Sequence, residues 1–449
     1  MHDAIRVSVA FLISLWCALG LAATPISEFK LKNGLTVVVK PDHRAPVAMT
    51  LLMYHVGSSY EPNGITGISH ALEHMMFKTI KNYKTGDYSR LISNNGGSLN
   101  AFTGADYTGY HVQIRADKLP LVFKLEAERM ANLQFNELEF IKEIDVVKEE
   151  RHLRTENVPE ALTYEHFQAA ALMNIPYHNP IVGWPSDLDN MQLNDLITWY
   201  QTWYHPNNAT LIVVGDVEPT AVLKLVTEHF GAIKSKALPT IKTFTTAPTY
   251  GPRYLTLTRP AEVPLLLIGF NVPTVTSAAE AWEPYALELL AGLLSQGESS
   301  RFSKSLVRQQ QLAAAAIAAY DPYYRLPYLF IIQATPANGV NLAALQEAIL
   351  NEIKHLQDTP IAASELEKVK ALSIANDIYA QDSLSSQAVK LGIFSSIHIP
   401  LQELDHYRQK IARITPEQIQ VVARKYLIAD HMTVATLQPQ SLTQTQGAQ

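Results

Sequence analysis

His70-Ala71-Leu72-Glu73-His74 decides how this chain is read. Two histidines four apart, with a glutamate one residue before the second, form the pattern H-x-x-E-H. On a helix, positions i and i+4 lie one above the other on a single face, so both imidazoles reach one metal ion. Glu73 stays on that side and can face a metal-bound water. The spelling reverses the H-E-x-x-H zinc signature and keeps its ligand geometry and its base. With 15 histidines in 449 residues the bare pattern also arises by chance. A helical histidine pair can equally be a solvated face or a satisfied core pair, so structural context has to carry the reading.

Zinc in a catalytic site takes three protein ligands and keeps one position for water. The spacing of Phe140, Ile141, Ile144 and Val147 predicts a helix over residues 137–155. Glu143 and Glu150 are two turns apart on it and share a face. Glu149, about 100° around the helix from Glu150, is the competing candidate. A glutamate-rich helix without the histidine motif reads as a solvated surface. Beside the motif, Glu150 is the expected ligand, and Glu143 the group that orients a histidine or that ligand.

The motif followed by Glu150 resembles the pitrilysin-type inverzincin metallopeptidases. The closer likeness is to their smaller branch, which includes mitochondrial processing peptidase and many bacterial secreted zinc proteases. Further segments carry the resemblance. Gly96-Gly97-Ser98-Leu99-Asn100-Ala101-Phe102-Thr103 is similar to the family's active-site edge strand. Pro180-Ile181-Val182-Gly183-Trp184, Trp203-Tyr204-His205-Pro206-Asn207-Asn208-Ala209-Thr210 and Val213-Val214-Gly215-Asp216-Val217 are similar to the later part of its first domain. The resemblance implies one Zn2+ per chain on His70, His74 and Glu150, with Glu73 as general base. It also implies a peptide substrate bound as an added strand along Asn100, Ala101 and Phe102. Phe77 is a candidate wall of the adjoining pocket, or an ordinary core aromatic.

One departure stands out. Active members of the family usually hold an arginine and a tyrosine seven apart in the second domain, after a Ser-Ser-Arg helix start. Ser299-Ser300-Arg301 is present, but Val307 and Ala314 fill the two expected positions. Arg308 is one place off, and Tyr320 is further along. An oxyanion donor contributes a few kcal/mol to lowering the barrier. The chain therefore reads as the zinc-carrying half of a catalyst, paired in a heterodimer with a related chain that holds the Arg/Tyr pair. A homodimer would supply only more copies of the same deficient domain. The alternatives are a non-catalytic structural subunit and a peptide-binding clamp that does not hydrolyse. The intact motif argues against a mere scaffold.

Length predicts more than one domain. Composition is that of an ordinary globular protein, 47% hydrophobic and 17% charged, with a mild net charge of −6. No basic cluster points to nucleic acid. Residues 1–23 read as a secretory signal, with Arg6 before an apolar run too short for a comfortable membrane span. That predicts export, most simply to a bacterial periplasm, with no membrane span left after cleavage. Cys17 is the only cysteine and lies inside this segment. The mature chain would have no disulfide, and its metal ligands would be His and carboxylate.

Residues 24–235 are expected to form the zinc-binding domain and residues 236–250 a linker. Residues 251–440 are expected to form a homologous domain without the metal motif, and residues 441–449 a disordered tail. Asn33-Gly34 between apolar alternating runs predicts a hairpin. Strands are predicted at 36–40, 48–56 and 209–214, and two more within 98–114. Helices are predicted from Gly67 onward and at 85–95, 119–133 and 195–204. The strand at 265–270 and helix at 279–294 mirror 48–56 and the motif helix. The expected fold is α+β: two homologous domains, each a mostly antiparallel sheet with helices on one face, arranged as a clamshell.

Overall fold

Asn33 and Gly34 make the tight turn that the sequence predicts. Gly34 has φ +89°, and a Cβ there would lie 2.6 Å from the Asn207 Cβ. The Asn33 amide donates to the carbonyls of Phe230 and Ile233. The turn joins strand β1 (Ser27–Lys30) to β2 (Thr36–Pro41) in an antiparallel pair. The structure is a computed structural model that describes residues 26–242 and 250–440. The expected leader, the tail and residues 243–249 of the expected linker lie outside these residues.

Eleven strands among the described residues form two sheets. The first adds β3 (Val47–Tyr54), β4 (Ser98–Thr103), β5 (Thr108–Arg115) and β6 (Ala209–Gly215), in the order β1-β2-β6-β3-β5-β4. The second contains β7 (Arg253–Arg259), β8 (Leu265–Val272), β9 (Ala313–Ala319), β10 (Tyr328–Pro336) and β11 (Met432–Pro439), in the order β7-β11-β8-β10-β9. Apart from β1, the two orders correspond strand for strand. Each sheet has one parallel pair, β2 with β6 and β7 with β11, and is otherwise antiparallel. The α+β reading and the repeat hold, and β1 and β4 are the two edges of the first sheet.

One face of each sheet carries the helices of its own half. The helix Ile68–Met75 buries Ile68, Ala71, Leu72 and Met75 in the first core. The helix Glu283–Ser295 does the same in the second. The other faces are covered too, and by exchange. The helix Pro159–Ala171, from the first half, packs Phe167 and Ala171 on Leu265, Leu267, Ala435 and Leu437 of the second sheet. The helix Leu384–Ser396, from the second half, packs Ala388, Leu391 and Phe394 on Met49, Leu51, Met53, Ile212 and Val214 of the first. Glycines make room at both contacts. A Cβ at Gly269 would lie 2.5 Å from the Phe167 ring, and one at Gly392 would lie 2.7 Å from Met53. Each large apolar side chain buried this way contributes about 1.5–3 kcal/mol, which ties the halves together. The all-buried pattern of β6 and the nearly all-buried β3 and β8 follow from this two-sided cover.

Candidate metal centre

The motif helix begins at Gly67, whose φ of +86° suits a residue without a Cβ. A Cβ there would also lie 2.4 Å from the Val182 carbonyl oxygen. The first amides of a helix have no partner within it. Here the buried Glu61 carboxylate accepts from the amides of Gly67 at 2.6 Å and Ser69 at 2.8 Å. Asp187 accepts from the amides of Gly64 and Thr66 and from the Thr66 hydroxyl. These contacts set the register in which His70 and His74 face the glutamate helix Glu137–Arg151.

His70, His74 and Glu150 converge, each offering one ligand atom within 4.8 Å of the others. Glu150 Oε2 lies 3.8 Å from His70 Nε2 and 3.5 Å from His74 Nε2. Those separations match donors that share one tetrahedral ion at about 2.0–2.2 Å, so the donor set present fits zinc. Burial, with His74 beside it, pushes the His70 imidazole down to about 4, which keeps it neutral as a ligand must be. Glu73 sits beside the cluster and accepts a hydrogen bond of 2.6 Å from the Thr103 hydroxyl on β4. Burial raises the Glu73 carboxyl above its ordinary range, opposed by that hydrogen bond and by His74.

Glu143 Oε2 lies 3.3 Å from His74 Nδ1, and its other oxygen pairs with Lys78 at 2.5 Å. Glu149 is exposed and stands outside the cluster. Asn100, Ala101 and Phe102 line a cavity of about 1230 Å³ together with the two histidines, Glu73 and Glu150. Phe77 does not line it; its ring packs in the first core near Tyr88 and Tyr110, with Arg129 over it. Val307 packs against the second core, and Ala314 lies on β9. Neither lines the cavity, and the Tyr320 hydroxyl is committed to the Pro273 carbonyl.

Two neighbours of Glu150 were missed in the sequence. Arg154, on the π-helical turn His152–Glu156, donates from Nη1 to Glu150 Oε1 at 2.5 Å. Its i+4 spacing from Glu150 was the available signal. Arg151 is buried and binds Glu156, Glu165 and the Gly183 carbonyl. No local pattern announces these partners.

Known proteins resemble this chain over most of its length. Residues 36–183 match the family model described as Insulinase (Peptidase family M16), and residues 190–373 the one described as Peptidase M16 inactive domain. The chain is 32% identical to the zinc protease PqqE of Helicobacter pylori over 91% of its own length and 92% of that protein. It is 27% identical to an uncharacterized zinc protease of Rickettsia bellii, over 81% of its length and 85% of that protein. The crystal structure of a protease from Helicobacter pylori superposes with a TM-score of 0.87 at 31% identity, covering 93% of this chain and all of that one. The periplasmic protease PqqL of Escherichia coli shares the fold, with a TM-score of 0.80 at 20% identity over 95% of this chain and 49% of that one. On these matches the chain belongs to peptidase family M16, the pitrilysin-type zinc proteases.

Proposed function

We propose that this chain is the zinc-carrying subunit of an exported endopeptidase that cleaves peptides or unfolded segments. The observation that carries the reading is the convergence of His70, His74 and Glu150 next to a glutamate held by the edge strand. His70, His74 and Glu150 would hold one zinc. When bound there, zinc supplies a water of lowered pKa and polarises the scissile carbonyl. Glu73 takes the proton of the attacking water and delivers it to the leaving amine. Thr103 holds the Glu73 carboxylate in place, and Glu143 fixes the ring of His74 through Nδ1. The outer side of the edge strand β4, along Asn100, Ala101 and Phe102, receives the substrate as an added strand.

The same reading includes a heterodimer. Val307 and Ala314 offer no donor for an oxyanion, and positions 307 and 314 lie outside this chain's own cavity. A donor pair at those positions of a related chain would act across an interface. Export to the periplasm rests on the expected leader at residues 1–23. The test is hydrolysis of a quenched fluorescent peptide by the zinc-loaded chain, alone and mixed with a related chain that carries the Arg/Tyr pair. Turnover is expected only in the mixture. Robust turnover by the isolated chain would refute the split site but keep the peptidase. Zinc binding without turnover in either case would favour a peptide-binding clamp.

A further inference from the structure

The cavity that holds the metal cluster does not end at β4. It runs on to a wall supplied largely by the second half, where Tyr324, Tyr328 and Gln333 line it together with Tyr164 of the exchanged helix. Tyr324 and Tyr328 stack at 4.1 Å, and Tyr177 meets both rings edge-on at 5.5 and 5.7 Å. Ala105, two residues past Thr103, packs in this same cluster.

The wall is fixed relative to β4. Arg325, between the two stacked tyrosines in sequence, donates from its backbone amide and Nε to Asp106 at 3.2 and 3.0 Å. Its Nη2 reaches Ser59 at 2.8 Å, and its guanidinium lies 4.4 Å over the Tyr60 ring. Asp106 is 2% exposed and also accepts from Ser59 and Tyr177. The Leu326 amide donates to the Tyr177 hydroxyl. A buried, fully used carboxylate thus clamps the tyrosine-bearing loop of one half to the turn that follows β4 in the other.

We propose that this tyrosine wall is a specificity subsite for an aromatic side chain of the peptide bound on β4. The inference rests on the peptidase reading and names its substrate class. Ala105 packs in the tyrosine cluster just past Thr103, so the aromatic residue would lie beyond the peptide position opposite Thr103. Rings of Tyr164, Tyr324 and Tyr328 offer stacked and edge contacts to such a side chain, and their clamped loop need not be ordered on binding.

The probe is a fluorescein-labelled decapeptide with one phenylalanine, compared with its serine counterpart, on the zinc-loaded Glu73→Gln chain. Anisotropy should show the phenylalanine peptide bound about three- to tenfold tighter. Tyr164→Ser and Tyr328→Ser, which sit on different elements, should each bring it toward the serine peptide. A benzoylphenylalanine in place of the phenylalanine should cross-link to residues 160–168 or 320–328, which needs no substitution in the wall. Equal affinity of the two peptides, or cross-links confined elsewhere, would overturn the subsite and leave the peptidase reading standing. Binding of neither peptide by a chain that holds zinc would overturn both.

Discussion

Arg151 and Glu165 are joined by two parallel hydrogen bonds, Nη1 to Oε2 at 2.8 Å and Nη2 to Oε1 at 2.7 Å, with both side chains buried. Arg151 follows Glu150 directly, and Glu165 sits on the helix whose Phe167 packs on the second sheet. Arg151 also donates to the Gly183 carbonyl, next to the point where Gly183 and Thr66 touch backbone to backbone. The third candidate ligand is thus tied to the start of the motif helix and to the far half of the molecule.

Removing one partner of a buried ion pair leaves the other charge uncompensated. Glu165→Gln should therefore cost about 3–5 kcal/mol of stability, read from urea unfolding of the metal-free chain. A loss under about 1 kcal/mol would mean that Glu156 alone satisfies Arg151.

Arg154 is a different case, because its side chain is 79% exposed. An exposed i,i+4 pair contributes little to stability, so Arg154→Gln should shift it by less than about 0.5 kcal/mol. The contact still holds Glu150 Oε1 while Oε2 faces both histidines. Loss of such an orienting partner typically weakens metal binding about 10- to 100-fold. Competition with a chelator measures it, and unchanged zinc affinity would reduce Arg154 to a surface charge.

The ligand roles separate by metal content. Glu150→Gln, His70→Ala and His74→Ala should lose zinc, whereas Glu149→Gln should keep about one per chain. Glu73→Gln should retain zinc and fold but lose hydrolysis in the assembled enzyme, because it removes a base and no ligand. Equal metal loss in the Glu149 and Glu150 variants would sink the assignment.

Acid should loosen the joint between the halves. His55 lies beside the exchanged helix, with Nε2 3.0 Å from the Thr210 hydroxyl, which meets Ser395 at 2.6 Å. Burial, with His398 nearby, pushes the His55 imidazole down to about 3. The folded state favours the neutral ring, so this stability is present above the unfolded value of about 6.5 and is lost as pH falls toward 3. Replacing the ring by an uncharged amide, His55→Gln, should shrink the stability lost between pH 7 and pH 5 by roughly 1–2 kcal/mol. Parallel pH profiles for the two chains would exclude His55 as the titrating group.

The sequence by itself determined the elements and the register of the site. Periodicity and spacing place His70, Glu73 and His74 on one helical face and Glu143 with Glu150 on another, because local geometry repeats every 3.6 residues wherever a helix forms. Asn33-Gly34 and the strand alternation were legible for the same local reason. Only the tertiary structure decided which surfaces meet. Phe167 and Leu391 lie on helices that each pack on the sheet of the other half. The partners Glu165 and Asp106, and the placement of positions 307 and 314 outside the cavity, likewise depend on contacts between residues far apart in the chain. A hydrophobic pattern states that a face will be buried, but burial is non-directional, so shape and topology choose the surface that covers it.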